Sequence, residues 1–283
     1  MSDHATRRRF LSATSAVGAV ALAGCAGVTG GSSQTETPMD ESMDDGVTET
    51  MTGDSMDDEM TATMTEGGMM GTEFTVTVEN VSTAETLQTM DGPKPVPLAP
   101  VAYVLHEDPG VLFQAGESAI AGLERLAEDG SPTKLTEELE MNEFHTGAQA
   151  VPKGAEEAGP IGPGGTYEFT VEAHEGQHLS MATMFVQSND LFYAPDPSGL
   201  PLWSDGEPVD GEFTDALALW DAGTEVNQEP GAGPDQAPRQ DGTDTGEAEN
   251  GVVRRIGTVD DGYDYPAVSD VVRLTVTPGG MDG

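Results

Sequence analysis

Cysteine is nearly missing from this chain: Cys25 is the single one in 283 residues. No intramolecular disulfide can staple the fold, and no thiolate cluster can hold a zinc ion. Basic residues are scarce too. There are 11 against 51 acidic ones, a net charge of −40, and the only lysines are Lys94, Lys134 and Lys153. With no basic stripe to neutralise phosphates, nucleic acid is excluded as a partner. Aromatics are 5% of the chain, which argues against a glycoside hydrolase groove built on paired carboxylates. No apolar run reaches the roughly 20 residues of a bilayer-spanning helix. The G-x-S-x-G of a serine hydrolase is absent, and "GAGPDQ" lacks the lysine and following helix of a phosphate loop.

What is present begins with an address. "RRRFLSA" (7–13) precedes the apolar run "TSAVGAVALAGCAG". A basic start, a moderate apolar stretch and small residues make a secretory signal over residues 1–25. The paired arginines before Phe10 and Leu11 resemble a twin-arginine signal. "LAGC" (22–25) resembles a lipobox, with Cys25 as the lipidated residue. An anchor of that kind holds a protein on the membrane without spanning it. The expected location is the extracellular face of the cell membrane.

Residues 26–72 hold no basic and no aromatic residue, and no apolar period is sustained. Such a segment cannot bury enough surface to offset its ordering entropy, so it reads as a disordered acidic stalk. Eight of the 14 methionines fall in it, at Met39, Met43, Met51, Met56, Met60, Met64, Met69 and Met70. Thioethers select Cu(I), so a copper-handling lipoprotein is one alternative reading. A flexible spacer is the plainer one.

From Glu73 to Gly283 the texture is that of one folded domain. "FTVTVENV" (74–81) and "TYEFTVEA" (166–173) alternate with period two. "VAYVLH" (101–106) and "HLSMATMFVQS" (178–188) are more continuously apolar strands, and "SDVVRLTVTP" (269–278) closes the domain. "ESAIAGLERLAEDG" (117–130) carries apolar residues at helical spacing and a stop at Gly130. "PTKLTEELEM" (132–141) is a second short helix, with Pro132 at its start. Strands separated by long Gly/Pro/Asp-rich loops point to an antiparallel β-sandwich rather than a βαβ fold.

Two stretches could carry chemistry. "HEGQH" (174–178) meets the zinc-protease pattern H-E-x-x-H letter for letter. The pattern needs a helix, so that both imidazoles face one way. Gly176 and the flanking strands make this segment a hairpin turn instead, leaving a metal-dependent hydrolase, here or at the trio Asp190, Asp221 and Glu225, as an alternative. His106 and His145 stand alone. The second stretch is "WDAGTEVNQEPGAGPDQAPRQ" (220–240), an aperiodic loop with carboxylates at Asp221, Glu225, Glu229 and Asp235. Leu217, Leu219 and Trp220 pin its start to the core, and Gly223 lets the backbone turn. Asp190 follows another apolar strand. Calcium takes six to eight oxygen ligands on a flexible frame. Charge alone does not single out Asp190, Asp221 and Glu225 among 51 acids. Their place beside anchoring aromatics is suggestive of a site.

"HLSMATMFVQSNDLFYAPD" together with "LWDAGTEVNQEPGAGPDQAPRQ" resembles the spondin N-terminal domain family, the domain of F-spondin and mindin, here in the form of a haloarchaeal lipoprotein. The resemblance covers roughly residues 73–278. "WDAGTE" and the S-x-D of 188–190 are its most specific parts. It implies a C2-like β-sandwich with bound calcium and an extracellular adhesion or binding role, with a protein or glycan ligand. It places the acidic metal ligands on Asp190, Asp221 and Glu225; Glu225 stands where the animal domains carry Asp. It implies a binding module rather than an enzyme.

At −40, self-repulsion opposes a compact fold in dilute buffer, and molar salt shortens the screening length to roughly 3 Å. The unfolding temperature is therefore expected to rise steeply from about 0.1 M to about 2 M KCl. A flat melting profile across that range would contradict a halophile's surface.

Overall fold

The computed structural model describes residues 71–279. The signal with Cys25, and the stalk apart from its last two residues, lie outside the described residues. In chain order the strands and helices are β1 (Thr72–Asn80), β2 (Val101–His106), α1 (Ala121–Asp129), α2 (Thr133–Met141), β3 (His145–Gln149), β4 (Thr166–Ala173), β5 (His178–Met184) and β6 (Leu191–Pro195). Four two-residue strands follow: β7 (Leu200–Pro201), β8 (Trp203–Ser204), β9 (Glu207–Pro208) and β10 (Gly211–Glu212). Then come β11 (Leu217–Asp221), β12 (Arg254–Arg255) and β13 (Val272–Pro278).

The expected mainly β, antiparallel sandwich with two short helices is found. One sheet runs β10-β13-β1-β4. The other runs β12-β11-β6-β5-β2-β3, with β7 also on β5. In the first sheet, alternation has a direct cause: one face meets the core and the other meets water. Phe74, Val76 and Val78 are buried, and Val76 pairs with Val276 on one side and Phe169 on the other. These residues share a core with Val101, Leu179, Met181, Tyr193, Leu217 and Leu219 of the second sheet. Tyr103 stacks on Phe169 across the gap, with ring centroids 4.2 Å apart.

The second sheet is buried on both sides. Its outer face presents Ala102, Val104, Ala182, Phe192, Ala194, Ala218 and Trp220 to the helices. The alanines leave room for Leu123, Leu126, Leu135 and Leu139 to settle onto the strands. Double burial explains why these strands read as continuous apolar runs. α1 begins at Ala121, four residues later than its apolar spacing suggests, because Ile120 is still extended. Gly130 ends it in the left-handed conformation, φ 68°. At Gly122 a Cβ would collide with the Leu135 Cα, so glycine lets the two helices cross closely.

β3, β6 and β11 were not apparent in the sequence. β3 is an edge strand with little apolar character. In β6 and β11 burial of both faces erases the alternation. The "HEGQH" segment differs from a hairpin. Residues 174–177 turn the chain from β4 in one sheet to β5 in the other. Gly176 has φ 95°, and the Gln177 amide donates to the His174 carbonyl at 3.1 Å. The helix that a zinc-protease motif needs is not formed.

Of the two solitary histidines, His145 is exposed on β3, whereas His106 is buried at the end of β2. Its Nε2 lies 2.8 Å from Ser180 Oγ. Burial lowers its pKa below the ordinary 6.5. The stability contributed by the neutral imidazole is thus complete above the unfolded-state value and drains away as pH falls below it. His106→Gln should lose this component. The melting-temperature advantage of the wild type over His106→Gln is expected to shrink from about pH 7.5 to about pH 5.5; a constant difference would refute it.

Candidate metal centre

The antiparallel pairing of β6 with β11 sets Leu191 opposite Asp221. Asp190, one residue before β6, therefore reaches the same end of the sheet as Asp221. The turn before Asp190 is fixed by Ser188, whose Oγ donates to the Phe185 carbonyl at 2.7 Å and accepts the Leu191 amide at 3.0 Å. Trp220 anchors the other side. Its indole N–H donates to the Ala194 carbonyl at 3.1 Å, Phe113 meets it edge-on at 4.9 Å, and the Arg255 guanidinium lies 5.1 Å from its ring centroid. The aromatic thus holds the last residues of β11 still, and the acidic loop starts from a rigid point.

Beyond Asp221 the chain turns sharply. The Gly223 amide donates to Asp221 Oδ1 at 2.6 Å, with φ 70° at the glycine. A Cβ there would lie 2.6 Å from the Val252 nitrogen and 2.7 Å from its carbonyl oxygen. Residues 247–251 come back along the turn: the Val226 amide donates to the Glu247 carbonyl, Glu249 to Thr224, and Gly251 to Gly223. β12 then pairs with β11, placing Arg254 opposite Asp221.

Asp190 has no exposed surface. Its Oδ2 accepts the amides of Thr224 at 3.0 Å and Glu225 at 3.1 Å. Its Oδ1 is buried without a hydrogen-bond partner. Asp221 is also wholly buried but fully answered: Oδ2 accepts from Asn227 at 3.1 Å and from Arg254 Nη2 at 3.1 Å. Arg254 also pairs with Glu249. Burial pushes the Asp190 carboxyl well above the usual carboxylate range, and the nearby Asp221 adds to it. Burial raises Asp221 as well, against the pull of Arg254. A cleft of about 430 Å³, lined by Asn227, Glu249, Arg254, Asp260 and Asp261 among others, opens beside the cluster.

Asp190 and Asp221 therefore meet, as the sequence suggested. Among the described residues, the third carboxylate that offers an oxygen within 4.8 Å of both is Glu249. Glu225, the third candidate from the sequence, is buried in the same turn but contributes its amide to Asp190. Its carboxylate Oε1 is held by the Gly246 amide at 2.8 Å. Sequence reasoning missed Glu249 and Arg254. One signal was there: Arg254–Arg255 is an adjacent basic pair outside the first 25 residues of a chain with very few bases.

Oxygen is the sole donor element in this cluster, which suits a hard cation such as calcium and not copper or an iron–sulfur centre. The orphaned Asp190 Oδ1 is the kind of buried acceptor a cation would satisfy. The chain matches no family model, and no curated protein matches it.

Arg254 is the cation that pairs with both the buried Asp221 and the half-buried Glu249. Arg254→Met should cost about 2 kcal/mol of unfolding free energy, since one partner of the pair remains buried without its counter-charge. Adding Asp221→Asn to that variant should recover at least half of the loss. Additive effects of the two substitutions in denaturant titrations would sink this account.

Proposed function

We propose that this chain is a calcium-binding module of the spondin N-terminal type, lipid-anchored on the outer face of the membrane and held off it by an acidic stalk. It binds an extracellular protein or glycan ligand and acts in adhesion. One observation carries the reading. Asp190, with no exposed surface, keeps one carboxylate oxygen without any hydrogen-bond partner beside the buried Asp221. Two adjoining buried carboxylates cost several kcal/mol each unless neutralised, and Arg254 answers only Asp221 and Glu249. The two segments that carry the resemblance, 178–196 and 219–240, adjoin through the β6–β11 pairing.

In this reading Asp190 and Asp221 supply carboxylates to calcium, Glu249 the third, and the amides of Thr224 and Glu225 orient Asp190. Calcium closes two loops at one end of the sandwich and gives the surface around them a fixed shape for the ligand. Calorimetry of the full chain in molar KCl is expected to lose one equivalent of bound calcium in Asp190→Asn and to show affinity weakened by about tenfold or more in Glu249→Gln. Calcium binding unchanged by Asp190→Asn would end the proposal.

A further inference from the structure

A second acidic cavity lies across the same turn, against α1. It has a volume of about 260 Å³, and its lining includes Glu124, Glu128, Glu225 and Asp244. Glu124 and Glu128 are one helical turn apart, so they share a face of α1. Each of Glu124, Glu128 and Asp244 offers an oxygen within 4.8 Å of the other two. A like-charged pair at that spacing destabilises a helix unless something lies between the charges.

Crowded acids are unremarkable in a chain of this composition. The burial of Glu128, between the half-buried Glu124 and the exposed Asp244, separates this group from the rest. Glu128 is 2% exposed, and its Oε2 is buried with no hydrogen-bond partner. Glu225 is equally buried, and its Oε2 is likewise without a partner. No lysine, arginine or histidine is among the lining residues. The Asp221–Glu249 pair has Arg254; among the described residues these carboxylates pair with no cation.

We infer that Glu124, Glu128 and Asp244, with the buried Glu225 beside the same cavity, form a second binding site for a hard divalent cation, with calcium as the natural occupant. All donors are carboxylate, and the remaining positions go to water. The site would clamp α1 to the 241–250 segment. It does not depend on how the Asp190 cluster is read.

The test is calcium binding and melting of the full chain in molar KCl, for wild type, Glu128→Gln, Asp244→Asn and Asp190→Asn. Glu128→Gln and Asp244→Asn should each lose one calcium equivalent, a different one from that lost in Asp190→Asn. Asp244 is exposed, so its substitution leaves the core intact. A melting crossover is also expected. In chelator, Glu128→Gln should melt above the wild type, because an unanswered buried charge is gone. In excess calcium, the wild type should melt higher. If Glu128→Gln and Asp244→Asn bind as much calcium as the wild type, the second site is wrong, whatever Asp190→Asn does. If only Asp190→Asn keeps the full calcium count, the second site stands and the first falls. Occupation by potassium alone, with no calcium effect on melting, would also overturn it.

Discussion

The Asp190 carboxylate is the fixed point of the end of the structure that holds the candidate site. It sits where a sheet buried on both faces runs out, and its Oδ2 takes the amides of Thr224 and Glu225. Those two bonds set the direction of the turn after β11. The turn in turn offers Thr224 and Gly223 carbonyls to the returning strand of residues 249–251. Glu249 and Arg254 reach Asp221 only because that return is in register. One buried carboxylate thus organises some sixty residues of chain, from Asp190 to Arg254, that contain only short strands. An acceptor that accepts two backbone amides in a dry setting is worth more than one in water, and leaving it unmade costs more. The same dryness leaves Oδ1 in need of a partner.

Much of the frame was legible in the residues, and the reasons are physical. Phe74, Val76 and Val78 alternate because β1 has one wet face, and that period survives in any sequence whose strand is half-buried. Leu123 and Leu126 mark α1 for the same reason at a different period. β6 and β11 gave no such trace. Leu191 to Pro195 and Leu217 to Asp221 are buried residue by residue, and double burial removes the contrast on which periodicity rests. His145 to Gln149 failed oppositely: an edge strand with small and polar residues, accepted because Gly147 lets the Tyr103 ring lie over it.

The site divides along a similar line. Asp190 and Asp221 could be picked out because each adjoins an apolar run, so position along the chain implied position at a sheet end. Glu249 could not. It lies 28 residues beyond Asp221 in a stretch without pattern, and it is brought back by the backbone bonds of Gly223, Thr224 and Val226 to residues 247–251. Glu225 illustrates the converse. It stands in the same turn, but the Gly246 amide captures Oε1 and holds the carboxylate apart from the Asp190 cluster. Sequence proximity fixes where a backbone goes within a turn. It does not fix which way a long side chain leans when a competing amide is in reach.

The composition of the chain changes what a carboxylate cluster means. At molar ionic strength, charges on the surface are screened within roughly 3 Å, so dozens of exposed acids repel little. Screening by mobile ions needs water, and Asp190, Asp221, Glu128 and Glu225 have almost none around them. Bulk salt cannot neutralise these four. Each must be answered by a specific partner: an amide, an arginine or a bound cation. The structure spends its few bases accordingly. Arg254 serves the buried Asp221, whereas Lys153, Arg255 and Arg273 make pairs at exposed positions that contribute little. In a chain so acidic, burial without a partner is a more selective criterion than charge density: among the described residues it picks five carboxylates, Asp190 and Glu249 in one cluster, Glu128 and Glu225 at the α1 cavity, and Asp129, which Arg125 answers.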